Sequence, residues 1–370
     1  MEIKPILSKY KVLDDLIPSL LNAFWRFVRF VYSSNGGNQG KILIIALHKI
    51  GDSVFTIPAI TNILDHFMSK NVYLVTYTDT KIIFKDVVEA KNIHAINKEE
   101  FLYGNRLATS AARKIIKNIQ PDLIIDLTGS ITSATLIFNS KAKKIVGMND
   151  KYFKNIYDDF VEIRSKPHLV QRYFDVTKIL LRENNVRNSF EFPISYSNVG
   201  IILIHPFAGW KAKEWGLNNY ILLASKLQKD YNTSLIFQKG EIKEDVINHL
   251  TENNINFIQT DSLVGLIAEI EKCSLFISND SGPLYLANKY GKPTFTIYGP
   301  TNPEYSKPFG NFHKQIRKIL DCSPTITQYC YLEAGRNCPS NECMYLLNAD
   351  LVLAEILEFI LSLNISNNHN

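Results

Sequence analysis

Short apolar runs alternate along the chain with longer stretches in which apolar positions recur every three to four residues. The runs are typical of buried strands, and the stretches are typical of helices that pack on a sheet. In the first half, this pattern predicts strands at 41–47, 71–78, 121–129 and 143–148. It predicts helices at 51–68, 107–120, 130–140 and 168–181. Strands that alternate with helices indicate a parallel sheet covered on both faces.

The same pattern starts again after the polar, irregular segment 182–200. Here it predicts strands at 201–208, 233–238, 255–260, 274–280 and 293–299. It predicts helices at 217–231, 242–253, 262–273 and 348–363, and a further helix that begins at Pro283. The chain is therefore predicted to be an α/β protein of two doubly wound domains facing a central cleft, with ligands at the carboxyl ends of the strands. The predicted divisions are an N-terminal extension 1–40, a first domain 41–185, a second domain 200–347, and a C-terminal helix and tail 348–370.

The N-terminal extension contains an apolar segment at 16–32, followed by a linker-like composition at 33–40. With Arg26 and Arg29, this segment is too short and too charged to span a bilayer. No secretory cleavage pattern follows it. Its aromatic and leucine residues, two arginines and lack of acids fit a helix that lies on a membrane surface. They fit equally well a helix packed on its own domain.

Composition narrows the choice of partners and compartment. The 370 residues are 46% hydrophobic and 21% charged, as in an ordinary globular protein with a large core. The net charge of +5 is too small to indicate nucleic acid binding, but it suits an anionic small molecule or a membrane surface. The five cysteines do not form a disulfide framework in a chain of this length, so we expect a cytoplasmic protein.

The turn after the first strand is a candidate for chemistry. Gly51 turns the chain, and Asp52 or Ser53 then stands at a helix start. A carboxylate there can cap the helix and interact with its dipole. Alternatively, Asp52 is a general base at the sheet edge, with His48 and Lys49 in the same wall of the cleft.

Two loops of the second half are further candidates. The loop 205–216 places Lys211 and Lys213 between two tryptophans, either as solvated side chains or as cations beside a phosphate. The Gly-Pro turn at 298–303 is a weaker signal.

The turn Asp280-Ser281-Gly282-Pro283 joins a predicted strand to a helix. Free N–H groups at a helix start bind phosphate without any side chain, and Pro283 suits the first helical position. Asp280 would repel a phosphate and is better suited to accept hydrogen bonds from sugar hydroxyls. The same turn is also compatible with a well-capped helix that has no ligand.

Four cysteines cluster with the spacing C-x7-C-x7-C-x4-C, at Cys322, Cys330, Cys338 and Cys343. Zinc sites usually pair cysteines about two to four residues apart, so buried free thiols are the favoured interpretation and a zinc or iron–sulfur site is the alternative.

The chain contains no P-loop, no G-x-G-x-x-G after the first strand and no G-x-S-x-G elbow. It also lacks a D-x-D pair that would hold a sugar diphosphate through a metal. We therefore predict no cofactor and no metal in the active site. Charge on a leaving phosphate would fall to lysines and helix N-termini.

Taken in order, these turns resemble glycosyltransferase family 9, the heptosyltransferases of lipopolysaccharide core assembly. "KILIIALHKIGDSVFTIPAI" resembles the family's opening strand, "IGD" loop and helix. "PDLIIDLTGSITSA" is similar to its "DLVIDLQGxxRSA" turn, and "HLVQRYFDVTKIL" to its "HxVxRYL" helix. "IHPFAGWKAKEW" resembles "LHPGASxxAKRW", and "SNDSGPLYLANKYGKPTFTIYGPTNP" resembles "xxDSGPMHLAAALGxPVVALFGPTxP". The likeness runs from about Lys41 to the end of the chain.

The resemblance implies a GT-B fold of two Rossmann-like domains, with the donor in the C-terminal domain, and an inverting, metal-independent transfer. By matching position, it implies that Asp52 is the general base for an acceptor hydroxyl. It implies that Lys213 balances charge on the departing nucleotide diphosphate. Ser281 and Gly282 would bind this diphosphate, and Asp280 would hold the donor sugar.

The resemblance also implies an acid that contacts the nucleotide, and the sequence leaves the choice open between Glu241 and Glu244. The candidates on the acceptor side are His48, Lys49, Gly51 and Ser130. The chain departs from the family at Leu284-Tyr285, where the family has "MH". It also departs at Thr132 and Ala46, where the family has arginines. These departures point to an altered acceptor, and Tyr285 to an altered donor.

The leading hypothesis is transfer of heptose, or a related sugar, from a nucleotide sugar such as ADP-heptose to a lipopolysaccharide or lipooligosaccharide core. The alternatives are a GT-B-fold nucleotide-sugar epimerase and a non-catalytic nucleotide-sugar-binding protein. We expect a cytoplasmic monomer that meets a lipid-linked acceptor, with peripheral attachment to the inner face of the inner membrane as an option, and no nucleic acid partner.

Overall fold

The computed structural model of the protein describes residues 11–32, 40–149, 153–181, 189–330, 338 and 340–368. Some predicted segments lie partly outside the described residues. They are the N-terminal extension with its linker, the domain boundary and the C-terminal tail, at 1–10, 33–39, 182–188 and 369–370. The chain divides into two compact units. The first takes in the described residues of 1–49, 55–164 and 169–188, and the second those of 50–54, 165–168 and 189–370.

The first unit is built on a parallel sheet to which the described residues contribute six strands, in the order β3-β2-β1-β5-β6-β7. The strands of this unit, with the short β4 outside the sheet, are β1 (Ile42–Ala46), β2 (Val72–Tyr77), β3 (Ile93–Ile96), β4 (Leu107–Ala108), β5 (Leu123–Asp126), β6 (Lys144–Asn149) and β7 (Asp159–Glu162). The helices are α1 (Lys11–Tyr32), α2 (Ile50–His66), α3 (Leu102–Asn105), α4 (Ser110–Ile119), α5 (Ile131–Ile137) and α6 (Gln171–Leu180). Every residue of β1 is buried, because this strand lies in the middle of the sheet.

The helix α1 is attached to the first unit along one face. Asn155 donates two hydrogen bonds to Asn22, from its backbone N–H at 3.2 Å and from its side chain at 3.0 Å. Arg29, which is buried, forms an ion pair with Asp158 at 2.8 Å. The packing of this helix on its own domain is therefore present in the structure. None of the helices in the described part of the chain is long and apolar enough to cross a membrane.

The second unit repeats the architecture, with six described parallel strands in the order β10-β9-β8-β11-β12-β13. Its strands are β8 (Ile201–His205), β9 (Thr233–Gln238), β10 (Phe257–Thr260), β11 (Cys273–Asn279), β12 (Thr294–Tyr298) and β13 (His313–Arg317). Its helices are α7 (Leu217–Leu227), α8 (Glu244–Glu252), α9 (Leu263–Ile270), α10 (Gly282–Lys289), α11 (Pro303–Ser306), α12 (Glu342–Tyr345) and α13 (Ala349–Ser362). The prediction of two doubly wound α/β domains is confirmed.

The sequence pattern missed three strands of the two sheets, β3, β7 and β13. Each lies at or beside the outer end of its sheet in the strand order. Most of their residues are partly or fully exposed. They lack the continuous apolar run that a central parallel strand needs, and a search for such runs therefore passes over them.

Candidate active site

In both sheets, the strand order reverses next to the first strand of the unit. Strand β1 has β2 on one side and β5 on the other, and β8 has β9 and β11. Ligands of doubly wound sheets bind at such reversals, beyond the carboxyl ends of the two strands. We call the carboxyl ends of β1 and β5 the first edge, and those of β8 and β11 the second edge.

Three of the predicted acceptor-side residues lie at the first edge. His48 follows β1, and its Nε2 lies 3.0 Å from the carbonyl oxygen of Leu127 behind β5. Ser130 precedes α5, and its backbone N–H donates to Oγ of Ser133 at 3.1 Å. Lys49 is exposed. The structure thus brings the turns after β1 and β5 together, as the parallel pairing of these strands requires.

Gly51 and Asp52 lie in the first turn of α2. The helix begins at Ile50, and its N-cap residue, Lys49, makes no side-chain cap hydrogen bond. The prediction that Asp52 or Ser53 caps this helix is therefore wrong. Ser53 is buried, whereas Asp52 is partly exposed. The carboxylate of Asp52 still lies at the positive end of the helix dipole, which favours its charged form.

The first edge also contains a buried acid that the sequence analysis did not select. Asp126, the last residue of β5, accepts a hydrogen bond from the Tyr157 hydroxyl at 2.6 Å. It also accepts from the backbone N–H of Thr128 at 2.8 Å and of Gly129 at 3.2 Å. Burial raises the pKa of Asp126 above its ordinary value, although these hydrogen bonds oppose the rise. The role of Asp126 is thus to hold the turn that leads to Ser130.

At the second edge, the partly buried Lys213 forms an ion pair with the buried Asp280. Their Nζ and Oδ2 atoms lie 2.7 Å apart, and the side chains are 17% and 5% exposed. Lys213 comes from a short 3₁₀ turn in the loop after β8, and its Nζ lies 4.7 Å from the centre of the Trp210 ring. This arrangement fixes the ammonium group, because the acid and the aromatic face both attract it. The neighbouring Lys211 is exposed and pairs with Glu214 instead.

Asp280 accepts two further hydrogen bonds. The Tyr285 hydroxyl donates to its Oδ1, and Thr301 donates to its Oδ2 at 2.8 Å. Burial by itself would raise the pKa of Asp280, but the charge of Lys213 and these hydrogen bonds outweigh it and lower the pKa. Burial and the charge of Asp280 raise the pKa of Tyr285 well above its ordinary value, so this residue remains a neutral donor. Both carboxylate oxygens therefore already have partners within the unit.

The start of α10 provides the remaining feature of the second edge. Ser281 is the N-cap residue, with an extended backbone, and Pro283 lies in the first turn. The side chain of Ser281 makes no cap hydrogen bond, and its Oγ is buried without a hydrogen-bond partner among the described residues. Gly282 is the first residue of the helix. Backbone N–H groups at such a helix start have no partner within the helix.

Asn279, also missed by the sequence analysis, attaches the lysine loop to this edge. Its side chain donates to the carbonyl of Pro206 at 2.8 Å and accepts from the backbone N–H of Trp215 at 3.0 Å. These bonds hold both ends of the loop that carries Lys213 against the end of β11.

Glu241 and Glu244 follow β9, one strand away from the second edge. The Glu241 carboxylate accepts a hydrogen bond from the backbone N–H of Gln238 at 2.7 Å, which closes the turn after the strand. Glu244 is the first residue of α8. Both side chains are exposed. The other predicted donor-side residues, Lys213, Asp280, Ser281, Gly282 and Tyr285, are brought together at the second edge.

Comparison with protein families assigns residues 109–334 to the model described as glycosyltransferase family 9 (heptosyltransferase). This match covers more than half of the chain. The chain belongs to glycosyltransferase family 9. The family predicted from the motifs is confirmed, and with it the expectation of an enzyme that transfers a glycosyl group.

Three similar proteins match over nearly their whole length. Lipooligosaccharide heptosyltransferase 2 of Campylobacter jejuni serotype O:6 is 26% identical over 331 residues, which cover 85% of this chain and 98% of the relative. The structure of E. coli ADP-heptose LPS heptosyltransferase II matches with a TM-score of 0.67 at 18% identity, covering 87% of this chain and 99% of that one. A family 9 glycosyltransferase from Veillonella parvula matches with a TM-score of 0.70 at 16% identity, covering 87% of this chain and 98% of that one. These likenesses confirm the predicted fold.

Proposed function

We propose that this family 9 enzyme transfers a heptose from ADP-heptose to a lipooligosaccharide core acceptor, as an inverting, metal-independent monomer. The observation that carries the proposal is the second edge, where the fixed Lys213 lies beside the start of α10 and the unpartnered Ser281 hydroxyl. This is a set of donors suited to a diphosphate. The names of the relatives, which are lipooligosaccharide heptosyltransferases, supply the sugar and the acceptor class.

The donor diphosphate is assigned to the second edge because several weak attractions act there together. The backbone N–H groups at the start of α10 and the helix dipole favour an anion. The Ser281 hydroxyl can donate to a phosphate oxygen, which would give this buried group a partner. Lys213 adds a positive charge that is held in place before the ligand arrives. The charge that develops on the leaving diphosphate is thereby stabilised without a metal ion.

Asp280 is assigned a positioning role for Lys213, in place of the direct sugar contact implied by the family resemblance. Three internal hydrogen bonds already occupy its two oxygens. Tyr285, which donates one of them, contributes to the shape of the donor-sugar subsite. Glu241 is retained as the nucleotide contact, with Glu244 as the alternative, because both follow the strand next to β8.

In the proposed reaction, an acceptor hydroxyl attacks the anomeric carbon of the donor from the face opposite the diphosphate. A new carbon–oxygen bond forms, the bond to the diphosphate breaks, and the hydroxyl proton passes to the carboxylate of Asp52. His48, Lys49, Gly51 and Ser130 are assigned to the acceptor. General-base help of this kind typically contributes about 10²–10⁴-fold in rate.

The test is an incubation of the full chain with ADP-heptose, with and without a truncated lipooligosaccharide acceptor, in EDTA and no added divalent cation. We expect ADP release and a heptosylated acceptor only when both substrates are present. Sugar conversion without acceptor would indicate the epimerase, and binding without turnover would indicate a non-catalytic protein. Loss of turnover in EDTA that magnesium or manganese restores would contradict the metal-independent mechanism.

We also propose that the outward face of α1 binds the anionic surface of the inner membrane from the cytoplasmic side. This face carries exposed apolar side chains at helical spacing, namely Leu20, Phe24, Phe27, Phe30 and Val31. Phe27 and Phe30 are 66% and 82% exposed. A groove of about 770 Å³ beside them is lined by the cations Arg26 and Lys154. Aromatic side chains with flanking cations suit the interface of an anionic bilayer.

The membrane proposal is best tested by substitution, because deletion of α1 would also remove Asn22 and Arg29 from their contacts with the first unit. The variant Phe27→Ser/Phe30→Ser should lose most binding to phosphatidylglycerol vesicles, whereas Leu222→Ser, a matched exposed leucine on α7, should not. Arg26→Ala should weaken binding to anionic vesicles more than to neutral ones. Equal vesicle binding by all variants, or a dimer in solution that the double variant abolishes, would contradict the proposal.

A further inference from the structure

The clustered cysteines surround one small cavity in the second unit. The cavity has a volume of about 100 Å³ and is lined by all four of them, namely Cys322, Cys330, Cys338 and Cys343. Gly299, after β12, forms part of the wall. A Cβ atom at Gly299 would lie 2.5 Å from the Met344 sulfur and 3.3 Å from the Cys343 sulfur, so a larger residue there would press on both side chains.

Core packing does not account for this arrangement. Cys273, the remaining cysteine, is 1% exposed in β11, as expected for a thiol that only packs. In the cluster, Cys343 is buried, Cys330 and Cys338 are partly exposed, and Cys322 is exposed. All four are free thiols, as predicted, but the predicted burial is found for Cys343 and is wrong for the other three.

Asn341 lies between two of the thiols. The Cys343 thiol lies 3.8 Å from the side-chain oxygen of Asn341 and donates to it. The backbone N–H of Asn341 lies 3.3 Å from the Cys338 sulfur and donates to it. Hydrogen bonds of this type commonly support thiolates that ligate metals.

Backbone contacts attach the cysteine segment to the loop after β12. The N–H of Cys330 donates to the carbonyl of Pro300 at 2.9 Å, and Tyr329 pairs with Thr301 in a β-bridge. Thr301 in turn donates to Asp280 at the second edge. Anything that fixes the cysteine segment therefore also fixes a residue that contacts the Lys213–Asp280 pair.

We infer that the four cysteines form a structural site for a single thiolate-ligated divalent ion, Zn²⁺ or Fe²⁺. Four thiolates in a tetrahedron are a preferred ligand set of both ions. On binding, four S–H bonds are replaced by four S–metal bonds, the protons pass to solvent, and no electron is transferred. The site is separate from the glycosyl transfer reaction, so its test does not depend on the proposed function.

The site is expected to close as the ion binds. Among the described residues, no group of three or more His, Cys, Asp or Glu side chains is already arranged to hold a metal ion. Metal sites formed by loops are commonly completed by the ion itself, so that binding free energy adds to stability. Occupancy should therefore raise the thermal stability of the second unit.

The experiment uses the untagged full chain, produced in medium supplied with both metals. Its zinc and iron content is measured by inductively coupled plasma mass spectrometry. We expect about one ion per chain, four thiols protected from Ellman's reagent, and release of the ion when a mercurial blocks the thiols. Cys322→Ser, at the exposed position, and Cys338→Ser/Cys343→Ser should lose at least tenfold in metal content. Cys273→Ala is the matched control and should keep the ion.

Fewer than about one-tenth of an ion per chain, with Cys322, Cys330 and Cys338 titratable in the folded protein, would overturn the inference. An ion that remains after the Cys322 and Cys338/Cys343 substitutions would overturn it as well. Acid-labile sulfide in the wild-type protein would show a cluster instead of a single ion. Because Cys322 is exposed, its variant should fold, and circular dichroism checks that loss of metal is not loss of structure.

Discussion

The two units place a buried aspartate at corresponding positions, and the two acids have different surroundings. Asp126 ends β5, and Asp280 directly follows β11, the strand in the same place of the second sheet. Asp126 is held by Tyr157 and by backbone N–H groups of its own turn, and burial raises its pKa. Asp280 is paired with Lys213, and its pKa is lowered despite burial. One acid holds its own loop, whereas the other fixes a cation, which we propose faces an anionic ligand.

Under the proposed function, this difference accounts for the different substrates that we assign to the two sheets. At the first edge the buried carboxylate accepts hydrogen bonds from neutral donors and Lys49 is exposed, an arrangement that we propose for the sugar acceptor. A carboxylate with a lysine partner, beside a helix start, makes the second edge suitable for a diphosphate. The catalytic base is assigned to neither buried acid, but to the partly exposed Asp52.

The largest effect is expected for Asp52→Asn, which should lower turnover by about 10²–10⁴-fold with donor binding unchanged. The proton of the acceptor hydroxyl then has no base to receive it. Asp65→Asn, at an exposed acid farther along α2, is the matched control and should retain full activity. Turnover is measured as ADP release with acceptor present, and near-normal turnover of the Asp52 variant would remove this residue from the mechanism.

The next largest effect is the difference in protein stability between variants of the two buried acids, Asp280 and Asp126. Asp280→Asn leaves the partly buried Lys213 without its charge partner, and the cost should approach the roughly 3–5 kcal/mol that is typical of a broken buried pair. Asp126→Asn removes a charge that burial disfavours, and it should change stability by no more than about 1 kcal/mol. Urea unfolding of both variants at pH 7.5 provides the measurement. Equal losses would mean that the two acids have the same role.

The pH dependence of stability should differ in sign between these acids. The pKa of Asp280 is lowered, so its contribution is present above the unfolded value of about 3.9 and is lost as pH falls through the folded value. The pKa of Asp126 is raised, so its ionisation opposes folding increasingly as pH rises from about 3.9 through the folded value. Between pH 4 and 7, Asp126→Asn should therefore have a higher Tm than the wild type, and Asp280→Asn should have a lower Tm. Parallel curves for the two variants would contradict this assignment.

The smallest effect concerns donor choice at the second edge. Tyr285→His introduces the family residue, and it should shift preference among nucleotide sugars by about 1 kcal/mol, or fivefold, with ADP affinity little changed. Tyr285→Phe removes only the hydroxyl that donates to Asp280 and serves as the control. Competition assays with ADP-, GDP- and UDP-sugars measure the preference. An unchanged order for both variants would assign Tyr285 to the structure of the Asp280 network alone.

The sequence predicted central strands, helices and turn positions well, because these depend on local apolar patterns and on glycine, proline and acid placement. It missed β3, β7 and β13, each of which lies at the end of its sheet among the described strands and lacks a continuous run of buried residues. Edge strands carry a weaker hydrophobic signal for this reason.

For the candidate active site, the sequence predicted individual residues but not the contacts between them. Lys213 and Asp280 were both selected, but their ion pair was not, because 67 positions separate them. Asn279 and Thr301 were missed since each acts through a long-range hydrogen bond that no local motif reveals. A usable signal did exist for Asp126, which directly precedes the "LTG" turn and follows an apolar strand.

The central claim is that Lys213 and the start of α10 bind the diphosphate, and titration calorimetry with ADP and adenosine tests it directly. Lys213→Met should weaken ADP binding by about tenfold or more and leave adenosine unchanged, with a smaller loss at high salt. Lys213→Met/Asp280→Asn, which removes both charges, should restore stability but not ADP affinity, and Lys211→Met should resemble wild type. Equal affinity of the Lys213 variant for ADP, or equal losses for ADP and adenosine, would contradict the account.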